Sequence, residues 1–276
     1  MTFGFCTSKH LLVTLRGALA VAVEDKQIPF NPAAVVKPPL QEQMEVQVFS
    51  QEQARAFLDA VRGTRLEAAY TSAVAVGLRQ GEILGLQWSD VNLETGVLAV
   101  RHALQRVDKK LVQVEPKSKK SRRTMQLPAV CVAAFARHRT LQEQEREWAG
   151  SRWQETGYVF TTRVGTPMDA RDLLRDYYSI TRPTAKKGVN PLVLKFPAIR
   201  FHDLRHSAAT LLLAQGVSAR YIAELLGHSQ VSFTLQTYAH VLKEVERANA
   251  AKMDEILDPD RVATTVATRT TPEHLN

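Results

Sequence analysis

Apolar residues near the start of the chain repeat at helical spacing. The repeat runs every three or four positions between Leu12 and Ala22, which predicts a helix over about residues 8–25. Prolines between Pro29 and Pro39 end the pattern, because proline lacks a backbone donor and disfavours a helical conformation at the residue before it. We therefore expect a short helix followed by a linker.

A longer series of helical patterns follows. Ser50 and Gln53 match a capping box, in which each side chain bonds to the backbone N–H of the other. The helix that they begin is followed by a second one over about 66–76, which Gly77 ends. Further helices are predicted at 82–86, 129–146, 169–178, 202–215, 218–227 and 241–257. Another predicted helix is capped by Ser232 and carries Tyr238.

The helical pattern is interrupted by a β-rich region in the first half of the chain. Residues 97–107 and 111–114 are rich in strand-forming residues, and a turn at Asp108-Lys109-Lys110 joins them as a hairpin. Residues 123–127 form a third strand that completes the sheet. The predicted fold class is α+β, mainly helical, with a small three-stranded antiparallel sheet.

Composition is that of a globular protein with an uneven distribution of charge. Hydrophobic residues make up 45% and charged residues 23%, which excludes collagen-like, coiled-coil and wholly disordered chains. The formal net charge is +8, yet residues 101–123 alone hold nine Lys or Arg against two acidic residues, a net +7. Such a concentrated basic segment indicates binding to a polyanion.

Cysteine use and the N-terminal pattern bear on the compartment. Cys6 and Cys131 form no C-x-x-C pair, so the sequence predicts no disulfide framework and a reducing cytoplasm. Lys9 and Arg16 interrupt the apolar start, which argues against a signal peptide. No run reaches the roughly 20 apolar residues that cross a bilayer, so no membrane association is expected.

The strongest local motif is His202-Asp203-Leu204-Arg205-His206. On a helix, positions i and i+3 share a face, so His202 and Arg205 can point at the same anion. His202 and His206 are also spaced like a zinc pair, but Asp203 stands where zinc hydrolases carry a glutamate, and the sequence offers no obvious third ligand. A surface cluster at the start of a helix is the remaining interpretation.

Three other motifs are weak when taken alone. Arg79 lies between Gly77 and Gly81, where its guanidinium suits a phosphate, although a solvated loop arginine is the simpler reading. The segment 116–123 is a basic loop between strands. His228 follows a glycine at a helix end, and Tyr238 follows ten residues later, in a place typical of a core tyrosine.

Together these motifs resemble the phage-integrase family of tyrosine recombinases. The order of the residues and the phrases Gly-Leu-Arg-Gln-Gly-Glu, His-Asp-Leu-Arg-His, Leu-Gly-His-Ser and Thr-Tyr-Ala-His carry the resemblance from about residue 48 to 241. The resemblance implies cofactor-free and metal-free DNA strand cleavage and rejoining through a 3′-phosphotyrosyl intermediate. Its implied partners are double-stranded DNA, a homotetramer on paired sites that exchanges C-terminal helices, and accessory DNA-bending proteins. The implied location is cytoplasmic and nucleoid-associated.

The same resemblance assigns the site residues. Tyr238 is the nucleophile, and Lys117 protonates the leaving oxygen, with its neighbours Lys119 and Lys120 as further candidates. Glu82 orients nearby basic groups, and His206 supports the residues that contact the phosphate. The residues expected to bind the nonbridging phosphate oxygens are Arg79, His202, Arg205 and His228. The expected DNA-binding side chains are Lys119, Lys120, Arg122 and Arg123.

The resemblance also divides the chain. We expect residues 1–46 to be a remnant of a helical core-binding domain with its linker, 47–258 a catalytic domain, and 259–276 a polar flexible tail. Because little sequence precedes the catalytic region, three activities stay open: a site-specific recombinase or integrase, a type IB topoisomerase-like nicking and religating enzyme, and a truncated, catalytically weak DNA-binding remnant.

Overall fold

The computed structural model divides the chain into two compact units, Met1–Val46 and Gln47–Asn276. It describes residues 5–38, 47–115, 122–182, 196–197, 199–228, 230–238, 252–253 and 257. The predicted helix at 241–257 and the tail at 259–276 lie almost wholly outside the described residues. Within the described part, no helix is long and apolar enough to span a membrane.

The first unit is a helix with a short turn packed against it. Helix α1 spans Phe5–Glu24, close to the predicted bounds, and a 3-10 turn follows at Pro32–Val35. The Arg16 side chain donates to the Ala33 carbonyl at 2.8 Å, and Asn31 donates to the Arg16 carbonyl at 2.9 Å. These bonds fold the proline-rich segment back along the helix.

The second unit is mainly helical, as predicted. Ser50 and Gln53 form the expected capping box, with the Ser50 N–H donating to Gln53 Oε1 at 2.9 Å. The helices are α2 Gln51–Val61, α3 Glu67–Ala75, α4 Gln80–Leu84, α5 Ala129–Ala149, α6 Ala170–Thr181, α7 Asp203–Ala214, α8 Ala219–Leu226 and α9 Val231–Thr237. Helix α9 begins after Gln230, so the prediction that Ser232 caps it is wrong.

The β region forms two sheets rather than the single one predicted. Strands β1 Val91–Asn92, β2 Val97–Val100 and β5 Arg123–Gln126 make an antiparallel sheet in the order β1-β2-β5. Strands β3 Ala103–Val107 and β4 Lys110–Val114 form a separate hairpin. Its turn at Asp108 and Lys109 has φ of +47° and +65°, as a two-residue turn of type I′ requires.

A break after β2 explains this difference. Arg101 turns aside to bind Asp90 at 3.0 Å, and Ala103 then packs against Gly85 at the end of α4. The chain therefore leaves β2, and β5 pairs along that strand instead, with Leu98 opposite Met125. The fold class is nevertheless confirmed, because the unit is mainly helical with small antiparallel sheets.

An aromatic cluster forms the main core. Phe57 of α2 is fully buried, and four other rings surround it with centroids 5.4 to 6.0 Å away: Phe49, Tyr70, Tyr177 and Phe196. A smaller apolar cluster joins α7, α8 and the end of α9, and it contains Ala209, Leu213, Ile222, Leu226 and Tyr238. The smaller cluster fixes Tyr238 against α7.

The contact between α4 and β3 gives a test of the packing. A Cβ on Gly85 would lie 2.8 Å from the Ala103 Cα and 2.9 Å from the Leu104 nitrogen, so Gly85→Ala must displace the hairpin. We expect it to lower the free energy of unfolding by about 1–3 kcal/mol, as overpacking does, in urea titrations followed by circular dichroism. Gly17→Ala is the control for the substitution itself, since a Cβ at this helical glycine meets no described atom within 4 Å. It should not lower the free energy of unfolding, because alanine favours a helix more than glycine does. Parental stability of Gly85→Ala would contradict the packing.

Candidate active site

A buried carboxylate lies at the start of α4. Glu82 is 4% exposed and accepts hydrogen bonds from the Arg79 backbone N–H at 2.9 Å and from Arg79 Nη1 at 2.6 Å. The glutamate stands three residues after Arg79, which precedes the first helical turn, so the bonds satisfy a free N–H of the helix start. Glu82 thereby fixes the direction of the Arg79 side chain, which remains 35% exposed.

A second arginine reaches Glu82 from β5. Arg123 Nη1 and Nη2 donate to the two Glu82 oxygens at 3.0 and 2.9 Å, a paired arrangement that fixes both planar groups. The Arg123 side chain is only 7% exposed. The expectation that Arg123 binds DNA directly does not fit this position, because its guanidinium is committed to a buried carboxylate. Arg122, by contrast, is exposed and pairs with Glu115.

The charges around Glu82 determine its protonation. Burial alone would raise its pKa, but the hydrogen bonds and positive charge of Arg123, together with those of Arg79, lower the pKa to about 2. Glu82 is therefore ionised throughout the physiological range.

Arg205 of α7 lies beneath these groups and is 3% exposed. Its Nη1 donates to the Gly77 carbonyl at 2.6 Å and its Nη2 to the Leu226 carbonyl at 2.5 Å. Gly77 has a φ of +64°, and a Cβ there would lie 2.4 Å from Leu226, so glycine is required beside Arg205. Burial and the nearby Arg79 lower the pKa of Arg205 to about 9, which leaves it charged at neutral pH.

The end of α8 brings the three arginines together. Its last carbonyls are those of Leu225, Leu226 and Gly227, and they accept from Arg123 at 2.6 Å, Arg205 at 2.5 Å and Arg79 at 3.3 Å. Helix C-termini present unpaired carbonyls with partial negative charge, which attract cations. Each guanidinium is thus oriented by the same helix end.

The nucleophile predicted from the sequence lies just beyond α9. Tyr238 is 2% exposed, and its hydroxyl is 2.7 Å from His206 Nδ1. Burial raises the pKa of Tyr238 to about 12, although the charge of Arg205 partly opposes the rise. His206 also meets the exposed His202 ring edge to face, with centroids 5.4 Å apart.

His228 completes the cluster after the left-handed Gly227. Its backbone N–H donates to the Ala223 carbonyl at 2.9 Å, and its Nδ1 lies 2.8 Å from Thr234 Oγ1. Burial, followed by the charges of Arg205 and Arg79, lowers the pKa of His228 to about 4, so this histidine is neutral at pH 7.

Most of the predicted site residues are thus described, but the basic loop is not. Lys117, Lys119 and Lys120 lie outside the described residues. No group of three or more potential metal ligands occurs in the described part of the chain. Two contacts were not predicted from the sequence. The first is the paired contact between Arg123 and Glu82. The second is the contact of His206 with Tyr238, because His206 was expected only to support the residues that bind the phosphate. The i, i+4 spacing of His202 and His206 was a signal that both rings face one site.

The sequence model of the phage integrase family matches residues 47–245. The chain belongs to the phage integrase family. A tyrosine recombinase XerC-like protein of Caldanaerobacter subterraneus subsp. tengcongensis is 34% identical over 264 residues, which cover 89% of this chain and 65% of that protein. An integrase of Streptomyces ambofaciens is 32% identical over 213 residues, 74% of this chain and 52% of the relative. The chain therefore spans between half and two thirds of these relatives.

Solved structures show the same fold. The Tn1549 transposon integrase in complex with transposon right end DNA superposes with a TM-score of 0.70 at 22% identity, covering 91% of this chain and 80% of that one. XerA recombinase superposes with a TM-score of 0.57 at 21% identity, covering 84% and 73%. This family member therefore shares the recombinase fold over most of its length.

The buried carboxylate predicts a pH dependence of stability. The ordinary pKa of 4.5 falls to about 2 on folding, so ionised Glu82 stabilises the chain above pH 4.5, and this contribution is lost as the pH falls to about 2. We expect Glu82→Gln to lower the free energy of unfolding at pH 7 by about 3 kcal/mol. Below pH 4.5 the gap between variant and parent should narrow.

Urea titrations at a series of pH values measure this gap. Glu94→Gln is the matched control, because Glu94 is an exposed carboxylate on the same unit. A gap between Glu82→Gln and its parent that stays constant from pH 7 to pH 2 would contradict the assignment.

Proposed function

We propose that the chain cleaves and rejoins duplex DNA as a site-specific recombinase. In this reaction the Tyr238 hydroxyl attacks a phosphodiester, forms a 3′-phosphotyrosyl bond and releases a 5′-hydroxyl. A second DNA 5′-hydroxyl then attacks the phosphotyrosine and restores the DNA backbone. The covalent intermediate keeps the energy of the phosphoester bond, so the cycle needs no external energy source.

One observation carries this proposal: in a chain of the integrase family, the Tyr238 hydroxyl lies 2.7 Å from His206 Nδ1 and near the charge of Arg205. Arg205 and Arg79 also act together on His228 in the same site. A tyrosine in an apolar core normally satisfies its hydroxyl with any nearby acceptor. Here the partner is a histidine of the HDLRH motif, and the buried, positively charged Arg205 lies close by. That setting suits an oxygen that is to bond to an anion.

The proposed roles at phosphorus follow from exposure. Arg79 is the more exposed arginine and would meet a nonbridging oxygen first, whereas Arg205 forms the floor of the site. A guanidinium has five donors, so Arg205 can keep its two carbonyl bonds and still bind a phosphate oxygen. His202 and His228 would complete the contacts. Because Tyr238 is buried and His202 is exposed, the phosphate would enter past His202, just before α7, and then past His206.

Proton transfer to the leaving oxygen is assigned to the basic loop. A 5′-alkoxide is strongly basic, so its departure needs an acid. Lys117 is the proposed acid, with Lys119 and Lys120 as further candidates. Arg122 is proposed as a contact to the DNA backbone. Its exposed position directly before β5 supports this proposal.

Double-stranded DNA is the proposed partner. The net charge of +7 between residues 101 and 123 supports it, as do the solved complexes of the Tn1549 integrase with DNA. A lambda integrase has been solved as a dimer bound to a core site. By analogy we propose that copies of this chain assemble on DNA through residues 241–257, and the resemblance to the recombinase family extends this proposal to a tetramer on paired sites.

The nucleophile can be tested directly. The full chain is incubated with a random-sequence duplex library, nicked so that cleavage traps the adduct, and covalent complexes are separated on denaturing gels. We expect adducts that sequencing resolves to a preferred site, with mass spectrometry placing the link on Tyr238. Tyr238→Phe should reduce adducts to background, because the ring stays and the nucleophilic oxygen is lost.

Tyr221→Phe is the matched control, since Tyr221 is an exposed tyrosine on α8. Adducts that persist in Tyr238→Phe would refute the assigned nucleophile. Absence of adducts from the parent chain would favour a DNA-binding remnant. Exchange between two labelled copies of the selected site separates a recombinase from a nicking and religating enzyme.

The acid role of Lys117 has a separate test. Lys117→Ala should slow adduct formation on the selected duplex by about 100-fold or more. Replacing the bridging 5′-oxygen by sulfur gives a leaving group that needs little acid help, so this substrate should restore the rate of Lys117→Ala but not of Tyr238→Phe. A sulfur substrate that restores nothing would move the role to Lys119 or Lys120, tested in the same way.

A further inference from the structure

The contact between His206 and Tyr238 places a basic nitrogen at the nucleophilic oxygen. His206 Nδ1 lies 2.7 Å from the Tyr238 hydroxyl, and the two ring centroids are 5.9 Å apart. Within the described residues this is the hydrogen bond that the hydroxyl makes. The distance is within the range over which a side chain can accept a proton directly.

The neighbouring histidines occupy other positions. His228 directs its Nδ1 to Thr234 Oγ1 at 2.8 Å. His202 is exposed at the start of α7, and its ring stands perpendicular to the His206 ring with the centroids 5.4 Å apart. Among the hydrogen bonds of the described residues, the one at the Tyr238 hydroxyl comes from His206, so His206 is the histidine that can receive its proton directly.

The protonation state of His206 suits this direction of transfer. Burial, followed by the charges of His202, Arg205 and Arg200, lowers the pKa of His206 to about 4, so the ring is neutral at pH 7. A phenol donates a hydrogen bond more readily than it accepts one. The neutral ring therefore carries its proton on Nε2 and offers the Nδ1 lone pair to Tyr238.

We propose that His206 is a catalytic proton acceptor for Tyr238, a role that rests on the proposed function of the chain. As the tyrosine oxygen forms its bond to phosphorus, its proton passes to His206 Nδ1. The bond from phosphorus to the 5′-oxygen breaks, and that oxygen takes a proton from the acid of the basic loop. In rejoining, His206 returns its proton to the departing tyrosine oxygen.

Two negative charges favour the protonated ring at the moment of transfer. Asp203 lies on the same helix and raises the pKa of His206, opposing the effect of burial. The phosphate gains negative charge as the tyrosine oxygen attacks, and it does so beside the imidazole. A histidine that is neutral before DNA binds can therefore hold a proton in the transition state.

The test separates proton transfer from hydrogen bonding. His206→Asn places an amide oxygen near the Nδ1 position, so it can accept the hydrogen bond but cannot take the proton. His206→Ala removes both functions and leaves space for added imidazole. The full chain and its variants are compared in single-turnover adduct formation on the nicked duplex selected above, with DNA binding followed by fluorescence anisotropy.

We expect both variants to bind DNA normally and to form adducts about 100- to 10,000-fold more slowly than the parent. Imidazole should accelerate His206→Ala, and more basic methylimidazoles should do so more strongly. Thr210→Ala is the matched control, because Thr210 lies one turn along α7 and its hydroxyl has no hydrogen-bond partner among the described residues. Thr210→Ala should form adducts at the parental rate, and added imidazole should not change that rate.

Three results would overturn the proposal: a parental rate in His206→Ala, a parental rate in His206→Asn, or no imidazole rescue in a folded His206→Ala that binds DNA. The second would show that hydrogen bonding alone is needed. Failure of the proposed function itself is distinct, since the parent chain would then form no adduct that depends on Tyr238.

Discussion

The burial of the Glu82 carboxylate is the constraint on which the rest of the site depends. Removing an ionised carboxylate from water costs several kcal/mol unless charged hydrogen bonds replace the lost hydration. Arg79 supplies these bonds from the start of α4, and Arg123 supplies them from β5, 41 residues after Glu82. Arg123 also donates to the Leu225 carbonyl. A displacement of β5 would take the two Arg123 hydrogen bonds from Glu82, and a displacement of α8 would take carbonyl acceptors from Arg123 and Arg205. The carboxylate therefore fixes the geometry of elements that are distant in sequence.

The end of α8 extends this arrangement to the third arginine. Consecutive carbonyls of Leu225, Leu226 and Gly227 each accept from a different guanidinium. Gly227 must be a glycine because its φ is +66° and because a Cβ would lie 2.9 Å from Arg123 Nη1. The three guanidinium groups satisfy the carbonyls at this helix end. In return, the carbonyls hold the three cations close together although the cations repel one another.

Local patterns were sufficient to predict much of the fold and failed where distant segments meet. The capping box at Ser50 and the helix end at Gly77 depend on neighbouring residues, and both formed as predicted. The membership of the sheet depended instead on Arg101 turning to Asp90, which no periodicity reveals. Arg123 likewise looked like one more cation in a basic loop, because its partner Glu82 lies 41 residues earlier. The loop of Lys117 lies outside the described residues and stays a prediction.

The balance of charge in this cluster suits a transition state better than a ground state. Arg79, Arg123 and Arg205 face one buried carboxylate, so these four groups carry a net charge of +2, while Tyr238 and His206 are neutral at pH 7. In the reaction proposed for this chain, a phosphodiester brings one negative charge, but the pentacoordinate phosphorus formed by attack carries two. Only an interaction that strengthens during the reaction accelerates it. The second positive charge is matched only as the tyrosine oxygen bonds to phosphorus, so the fixed arginines would favour the step itself more than the binding of DNA.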